Sequence, residues 1–274
     1  MPRQVGLLGA GAWAVRNAGA ASDAGLQFSA LDHIEISVPD AAQSAAFYER
    51  VFGGSRWKNQ QTPKRYVKLG PCYIAIDQKA DAARVDHFSA GISDYNIANL
   101  HRYLEGRGIA YRDFPSGRDL NVTDPDGIRV QLSSENSWAP LEGKTALRET
   151  VGLNEAPIFQ ATGLDHILLN VSDPEKSAGF YEKIFGPVTQ RNNNRIWFQT
   201  GRSRIGLLQT PSGQKAGLNH FCVAAAAFEY AAVTKKLEQA GARVETPEVG
   251  GAPEFRDPDG FLVQIMQPRP ATRA

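Results

Sequence analysis

Alternation of apolar and polar side chains marks the strands of this chain, and a change of rhythm marks its helices. Over residues 33–38, His33, Glu35 and Ser37 fall on one face and Ile34, Ile36 and Val38 on the other, the two-residue period of a half-buried strand. Pro39-Asp40 closes the run, and Asp40 is placed to cap a helix over Ala41–Phe52. Within it Ala45, Tyr48, Val51 and Phe52 recur at helical spacing until Gly53-Gly54 stops the pattern. Tyr66–Leu69 and Cys72–Ile76 then read as strands, turned at Gly70-Pro71. The plan restarts at His87, with a helix over Tyr95–Gly106, an Asp-Pro-Asp-Gly turn and a strand over Ile128–Ser133.

The same pattern returns further along the chain. Leu31-Asp32-His33-Ile34 reappears as Leu164-Asp165-His166-Ile167, Phe47–Gly53 as Phe180–Gly186, and Asp124–Gly127 as Asp257–Gly260, all at an offset of 133 residues. The second copy has a helix over Glu175–Phe185, strands near Ile196–Phe198 and Arg204–Leu208, a strand at His220, a helix over Phe228–Ala240 and a last strand over Phe261–Met266. The chain therefore divides into a first domain over 28–134, a linker over 135–162 and a second domain over 163–270. The linker is mixed in Ser, Pro, Gly and charge, without periodicity.

Composition narrows the function. With 42% hydrophobic and 22% charged residues and a formal charge of +1, the chain has no basic cluster for nucleic acid. Its two cysteines, Cys72 and Cys222, sit in different copies without metal-binding spacing and read as buried residues. Residues 1–27 run from Arg3 through an apolar stretch to small residues, the layout of a secretory signal. If this segment is a signal peptide the protein is periplasmic or secreted, and otherwise cytoplasmic. Gly9–Ala14 resembles a dinucleotide fingerprint, but the strand-helix-strand unit it requires is missing.

Four of the five histidines open a strand at equivalent positions. His33 to His87 and His166 to His220 are both 54 residues apart, and His87 to Gln131 and His220 to Gln264 both 44. The apolar neighbours Ile34, Phe88, Val130, Ile167, Phe221 and Val263 take the opposite faces, so each His, His, Gln triplet shares the concave side of a curved sheet. Three neutral donors from three strands can hold one divalent ion and leave positions free for substrate. Glu35 lies on the same face and can complete a polar site in the first copy, whereas Leu168, Asn170, Cys222, Leu262 and Met266 predict a largely apolar cup, suited to a ring, in the second. His101 sits on a helix and reads as a surface residue.

The paired βαβββ modules, the Phe-Tyr-x-x-x-Phe-Gly helix end and the Asp-Pro-Asp-Gly-x-x-x-Gln strand resemble the vicinal oxygen chelate superfamily of glyoxalases, fosfomycin and bleomycin resistance proteins and type I extradiol dioxygenases. The resemblance covers about residues 30–134 and 163–268. It implies an α+β fold of two tandem glyoxalase-like domains, each a curved cup with helices outside. It also implies a divalent metal, Fe(II) or another such as Mn, Ni or Zn. Four modules are most similar to the extradiol dioxygenases, whose two-histidine, one-glutamate iron site falls by position on His166, His220 and Gln264.

Glutamine is the departure, since a neutral amide binds a cation more weakly than a carboxylate. The dioxygenases' acid–base histidine has no counterpart between His166 and His220, and the place of their tyrosine holds Glu254, which becomes the general-base candidate. The acidic position of glyoxalases corresponds to Ala75 and Gly206. Two functions follow. One is a metal-dependent dioxygenase or lyase/isomerase acting on a small apolar or aromatic substrate with neighbouring oxygens. The alternative is a protein that sequesters a small molecule without transforming it.

Overall fold

The computed structural model describes residues 25–79, 83–149, 156–245 and 252–268. The expected signal up to residue 24, with its Gly9–Ala14 stretch, lies outside them. The first copy runs β1 (Phe28–Val38), α1 (Ala41–Phe52), β2 (Ser55–Asn59), β3 (Arg65–Leu69), β4 (Cys72–Gln78), β5 (Arg84–Ile92), α2 (Ile97–Gly106), β6 (Tyr111–Asp113), β7 (Leu120–Thr123) and β8 (Arg129–Ser134). After β9 (Ala146–Arg148), the second runs β10 (Ala161–Val171), α3 (Pro174–Phe185), β11 (Gln190–Asn192), β12 (Arg195–Thr200), β13 (Ser203–Gln209), β14 (Gly217–Ala225), α4 (Tyr230–Gln239), β15 (Arg243–Glu245), β16 (Glu254–Arg256) and β17 (Leu262–Met266). No described helix is long and apolar enough to cross a membrane.

Each copy forms one mixed sheet. The first has the order β6-β7-β8-β5-β1-β4-β3-β2-β9 and the second β11-β12-β13-β10-β14-β17-β16-β15. β1 lies parallel to β4 and antiparallel to β5, and β5 lies parallel to β8, so the two modules of a copy meet along β1 and β5. The cap predicted for α1 is present: the Asp40 carboxylate accepts from the backbone N–H of Ala42 and Gln43, and Gly53 ends the helix at φ 70°.

The segment expected as a linker belongs in part to the first domain. β9 extends the sheet edge at β2, and Trp138 is buried among Trp57, Tyr66 and Tyr73. Without a period in the sequence, this aromatic cluster is set only by distant partners.

The two copies lock reciprocally. Tyr48 on α1 donates to Asp257 of the other copy's turn at 2.5 Å, and Tyr181 on α3 donates to Asp124 at 3.1 Å. Phe47 and Phe52 pack against Phe255, so the two copies share one apolar core. Burial and then the adjacent carboxylates push both tyrosine hydroxyls well above the ordinary range. Burial also lifts Asp257 to about 6, although the Tyr48 hydrogen bond works the other way. Gly201 permits a second contact. A β-carbon there would stand 2.0 Å from the Ser29 carbonyl oxygen, which accepts from the Arg202 N–H at 2.8 Å.

Candidate metal centres

Each histidine pair is aimed by a break in strand register. One extra residue interrupts the β1–β5 ladder at Asp32 on β1 and at Asp86 on β5. The β10–β14 ladder breaks in the same way at Asp165 and Asn219. Such a bulge re-aims a side chain, and here it lets neighbouring residues meet that a regular strand would send to opposite faces. The His33 Nδ1 lies 2.6 Å from Asp32, His87 Nδ1 2.8 Å from Asp86, His166 Nδ1 2.6 Å from Asp165, and His220 Nδ1 2.8 Å from the Asn219 carbonyl oxygen. Sequence reasoning missed these four residues. The signal was present as a repeated Asp-His, with Asn-His in the fourth place.

These partners accept hydrogen bonds, so they hold the proton on Nδ1 and leave Nε2 as a lone pair. The two Nε2 atoms face each other at 3.2 Å between His33 and His87, and at 3.1 Å between His166 and His220. Two opposed lone pairs repel unless a cation or a proton lies between them. An ion at the ordinary nitrogen–metal distance of about 2.1 Å can reach both atoms of either pair. Histidines oriented by carboxylates in this way are typical of metal sites. The residues fit a divalent ion.

Burial, reinforced by the other histidine, keeps His87 below the ordinary histidine range against the pull of Asp86. His220 falls to about 3 for the same two reasons, with Arg195 adding to the effect. Both rings are neutral donors at neutral pH.

The first cup encloses about 700 Å³ and is lined by both histidines, Glu35 and Gln131, with Tyr66, Tyr73, Tyr95 and Phe114 among its walls. Ser137, Pro140 and Leu141 of the former linker close one side, and Ser137 donates to Asp32. Glu35 lies with Asp86 and His87 in one cluster of donor atoms, and Lys64 holds it at 2.5 Å. Asp86 is paired with Arg129; burial opposes its ionisation, but His87 and Arg129 outweigh burial and bring it to about 2. Asp119, which the sequence did not single out, lines the cup together with Gln131, and burial raises its carboxyl above the ordinary value. The Tyr95 hydroxyl is buried without a hydrogen-bond partner among the described residues.

The second cup encloses about 300 Å³. Trp197 stands edge-on to His166 at 5.3 Å and carries Arg204 over its face at 4.4 Å. Gly206 makes room for this ring, since a β-carbon there would lie 2.7 Å from both Leu168 and Trp197. Of the expected substrate contacts only Met266 lines the cavity, beside His166, His220 and Gln264. Leu168 is buried against Gly206, Asn170 is taken up by Asn219, Cys222 is fully buried, and Leu262 pairs with Arg256 at the strand entry. Glu254 is brought to the site, where it accepts from the Gln264 amide at 2.7 Å. A third cavity of about 880 Å³ lies at the seam between the copies, with none of the four strand histidines in its lining. His101 stacks on Tyr111 and bonds Asp113, away from both cups.

Residues 30–132 and 163–265 each match the family described as "Glyoxalase/Bleomycin resistance protein/Dioxygenase superfamily". The metallothiol transferase FosB of Staphylococcus haemolyticus is 26% identical over 116 residues, 37% of this chain and 81% of that protein. The fold resembles the 2,3-dioxygenase LapB of Pseudomonas sp. KL28, with a TM-score of 0.69 and 18% identity over 91% of this chain and 97% of that one. The Mn(II)-bound glyoxalase of Novosphingobium aromaticivorans gives a TM-score of 0.65 and 16% identity, covering 88% of this chain and 82% of that one.

Proposed function

Because the chain belongs to the Glyoxalase/Bleomycin resistance protein/Dioxygenase superfamily, we propose that it is a divalent-metal-dependent enzyme whose working site is the first cup. The observation that carries this reading is the opposed Nε2 pair of His33 and His87, both locked by carboxylates, at the floor of a 700 Å³ cavity. A cation is the partner such a pair lacks. His33, His87 and Gln131 would hold the ion, with Glu35 beside them. Once bound, it would act as a Lewis acid on neighbouring oxygens of a small substrate.

The rest of the cup defines the substrate. Tyr66, Tyr73, Tyr95 and Phe114 offer ring faces, which suits an aromatic or otherwise flat molecule. The unpartnered Tyr95 hydroxyl supplies a donor for one substrate oxygen; the equivalent residue of the second copy, Phe228, has none. Glu35, paired with Lys64, is the proton acceptor on the cup's face. Whether the reaction is dioxygenase-like or lyase/isomerase-like is part of the same proposal.

One observation favours the alternative of sequestration without chemistry. Lys64 and Arg129 already balance Glu35 and Asp86, so the cup is less acidic than its carboxylates suggest. The test is the metal content of the full chain purified without a chelating tag, beside His33→Ala and His166→Ala. Metal near one equivalent or more that His33→Ala largely removes supports the first cup. Less than about one-tenth equivalent in wild type, unchanged in both variants, removes the enzyme reading.

A further inference from the structure

In both cups a carboxylate stands with the glutamine of the triplet, and the two carboxylates come from different places in the repeat. In the second cup Glu254 and Gln264 stand opposite each other on the antiparallel pair β16–β17, with Gln264 Nε2 donating to Glu254 Oε1 at 2.7 Å. In the first cup the residue opposite Gln131 is Asn121, and the acid is Asp119, two residues earlier in the chain. The repeat equivalent of Asp119 is Ala252, and that of Glu254 is Asn121. A copy that lacks the acid at one position therefore has it at the other. Duplication alone would repeat the position; here the nearby acid is repeated and the position is not.

The chemistry of an amide gives this contact a consequence. An ionised carboxylate only accepts, so the glutamine must turn its –NH₂ toward it. The carbonyl oxygen, the only atom of that group able to bind a cation, is then the one left for the cup. Without the acid the amide is free to present its –NH₂ to the histidines, which is useless to a metal. A carboxylate one hydrogen bond away also makes the amide oxygen more electron-rich and adds a negative charge near the ion.

We propose that Glu254 and Asp119 are positioning residues that aim the amide oxygens of Gln264 and Gln131 at the histidine pairs. They return, one hydrogen bond outward, the charge that a carboxylate ligand would have supplied. The inference rests on the metal-binding reading above. It gives Glu254 a role that acts through Gln264 instead of on substrate.

Calorimetric titration of the full metal-free chain with Mn²⁺ tests it, using Glu254→Gln, Asp119→Asn and the pair Glu254→Gln/Gln264→Glu. Each single variant is expected to weaken binding at its own cup by about 10- to 100-fold, the range for loss of a ligand's supporting partner. The paired variant, which moves the carboxylate onto the ligand position, is expected to bind at least as tightly as wild type. Single variants that bind as wild type overturn the inference, as does a paired variant no tighter than Glu254→Gln, provided melting curves show each protein folded. If wild type itself takes up no Mn²⁺, the metal-binding reading fails and the positioning role falls with it. Metal uptake that the variants leave unchanged ends the positioning role alone.

Discussion

The two cups descend from one sequence pattern and have become different sites. Both keep the histidine pair at 3.1–3.2 Å and a glutamine with an acid nearby. The differences lie around that shared centre. Where the first cup has Glu35, Ala75 and Tyr66, the second has Leu168, Gly206 and Trp197 at the equivalent ladder positions. Removing the β-carbon at Gly206 lets the larger ring of Trp197 settle over Leu168, and that ring fills space that the first cup keeps open. The first cup gains a wall from the segment after β8, which has no described counterpart after β17. The histidine pair is thus retained twice, with a cavity of about 700 Å³ beside the first and about 300 Å³ beside the second. The shared centre records ancestry; the open volume is where the two cups differ.

The sharpest way to break this comparison is to remove one histidine from each cup. His33→Ala or His87→Ala should lower activity by about 100-fold or more, whereas His166→Ala should change it less than about threefold. Steady-state turnover of a ring-containing substrate with neighbouring oxygens measures this. The reverse ranking would transfer the working site to the second copy.

The next effect concerns the seam that holds the cups together. Asp257 has a folded-state pKa of about 6, above the unfolded value of about 3.9. The folded chain therefore binds more protons than the unfolded chain between these values, and its contribution to stability falls as pH rises from about 4 to about 6. The loss is on the order of 3 kcal/mol. Denaturant unfolding of wild type and Asp257→Asn should show the variant gaining on wild type across that window. A constant difference between pH 4 and 7 would sink the idea.

Packing around the paired small residues comes third. Gly206→Ala should destabilise by about 1–3 kcal/mol, because its methyl group meets Leu168 and Trp197 at 2.7 Å. Ala75→Gly in the first cup should lose about 1 kcal/mol or less, mainly through backbone entropy. Thermal melts of the two variants check the ranking. Equal losses would mean that Trp197 moves aside and the second cup opens easily.

The smallest predicted effect is that of Tyr95→Phe, which copies the second cup's Phe228 into the first. Losing one hydrogen bond to substrate should raise KM by about 3- to 10-fold, with the melting temperature unchanged. An unchanged KM would show that the hydroxyl meets only water.

Much of this was legible in the chain itself. The strict offset between copies, the boundaries of α1, and the shared face of His33, His87 and Gln131 all follow from local periodicity and spacing. The short strands β6, β11 and β15 were not legible, because three residues are too few to show a period. The bulges at Asp32, Asp86, Asp165 and Asn219 were missed for a related reason. Strict alternation assigns consecutive residues to opposite faces, so a repeated Asp-His reads as one inward and one outward side chain. Only a break in the ladder brings the two into contact.

By itself, then, the sequence determined the duplication, the α+β modules and the common face of each His, His, Gln triplet, since these depend on the two- and 3.6-residue periods of neighbouring positions. Tertiary structure alone decided the rest. It turned the supposed linker into a wall, set Tyr48 and Tyr181 against the opposite copy's turns, gave the glutamines their acids, and made one cup roomy and the other tight. Each of these is a contact between residues far apart in the chain, and no local pattern encodes how large a ring will fill the space that a missing β-carbon leaves.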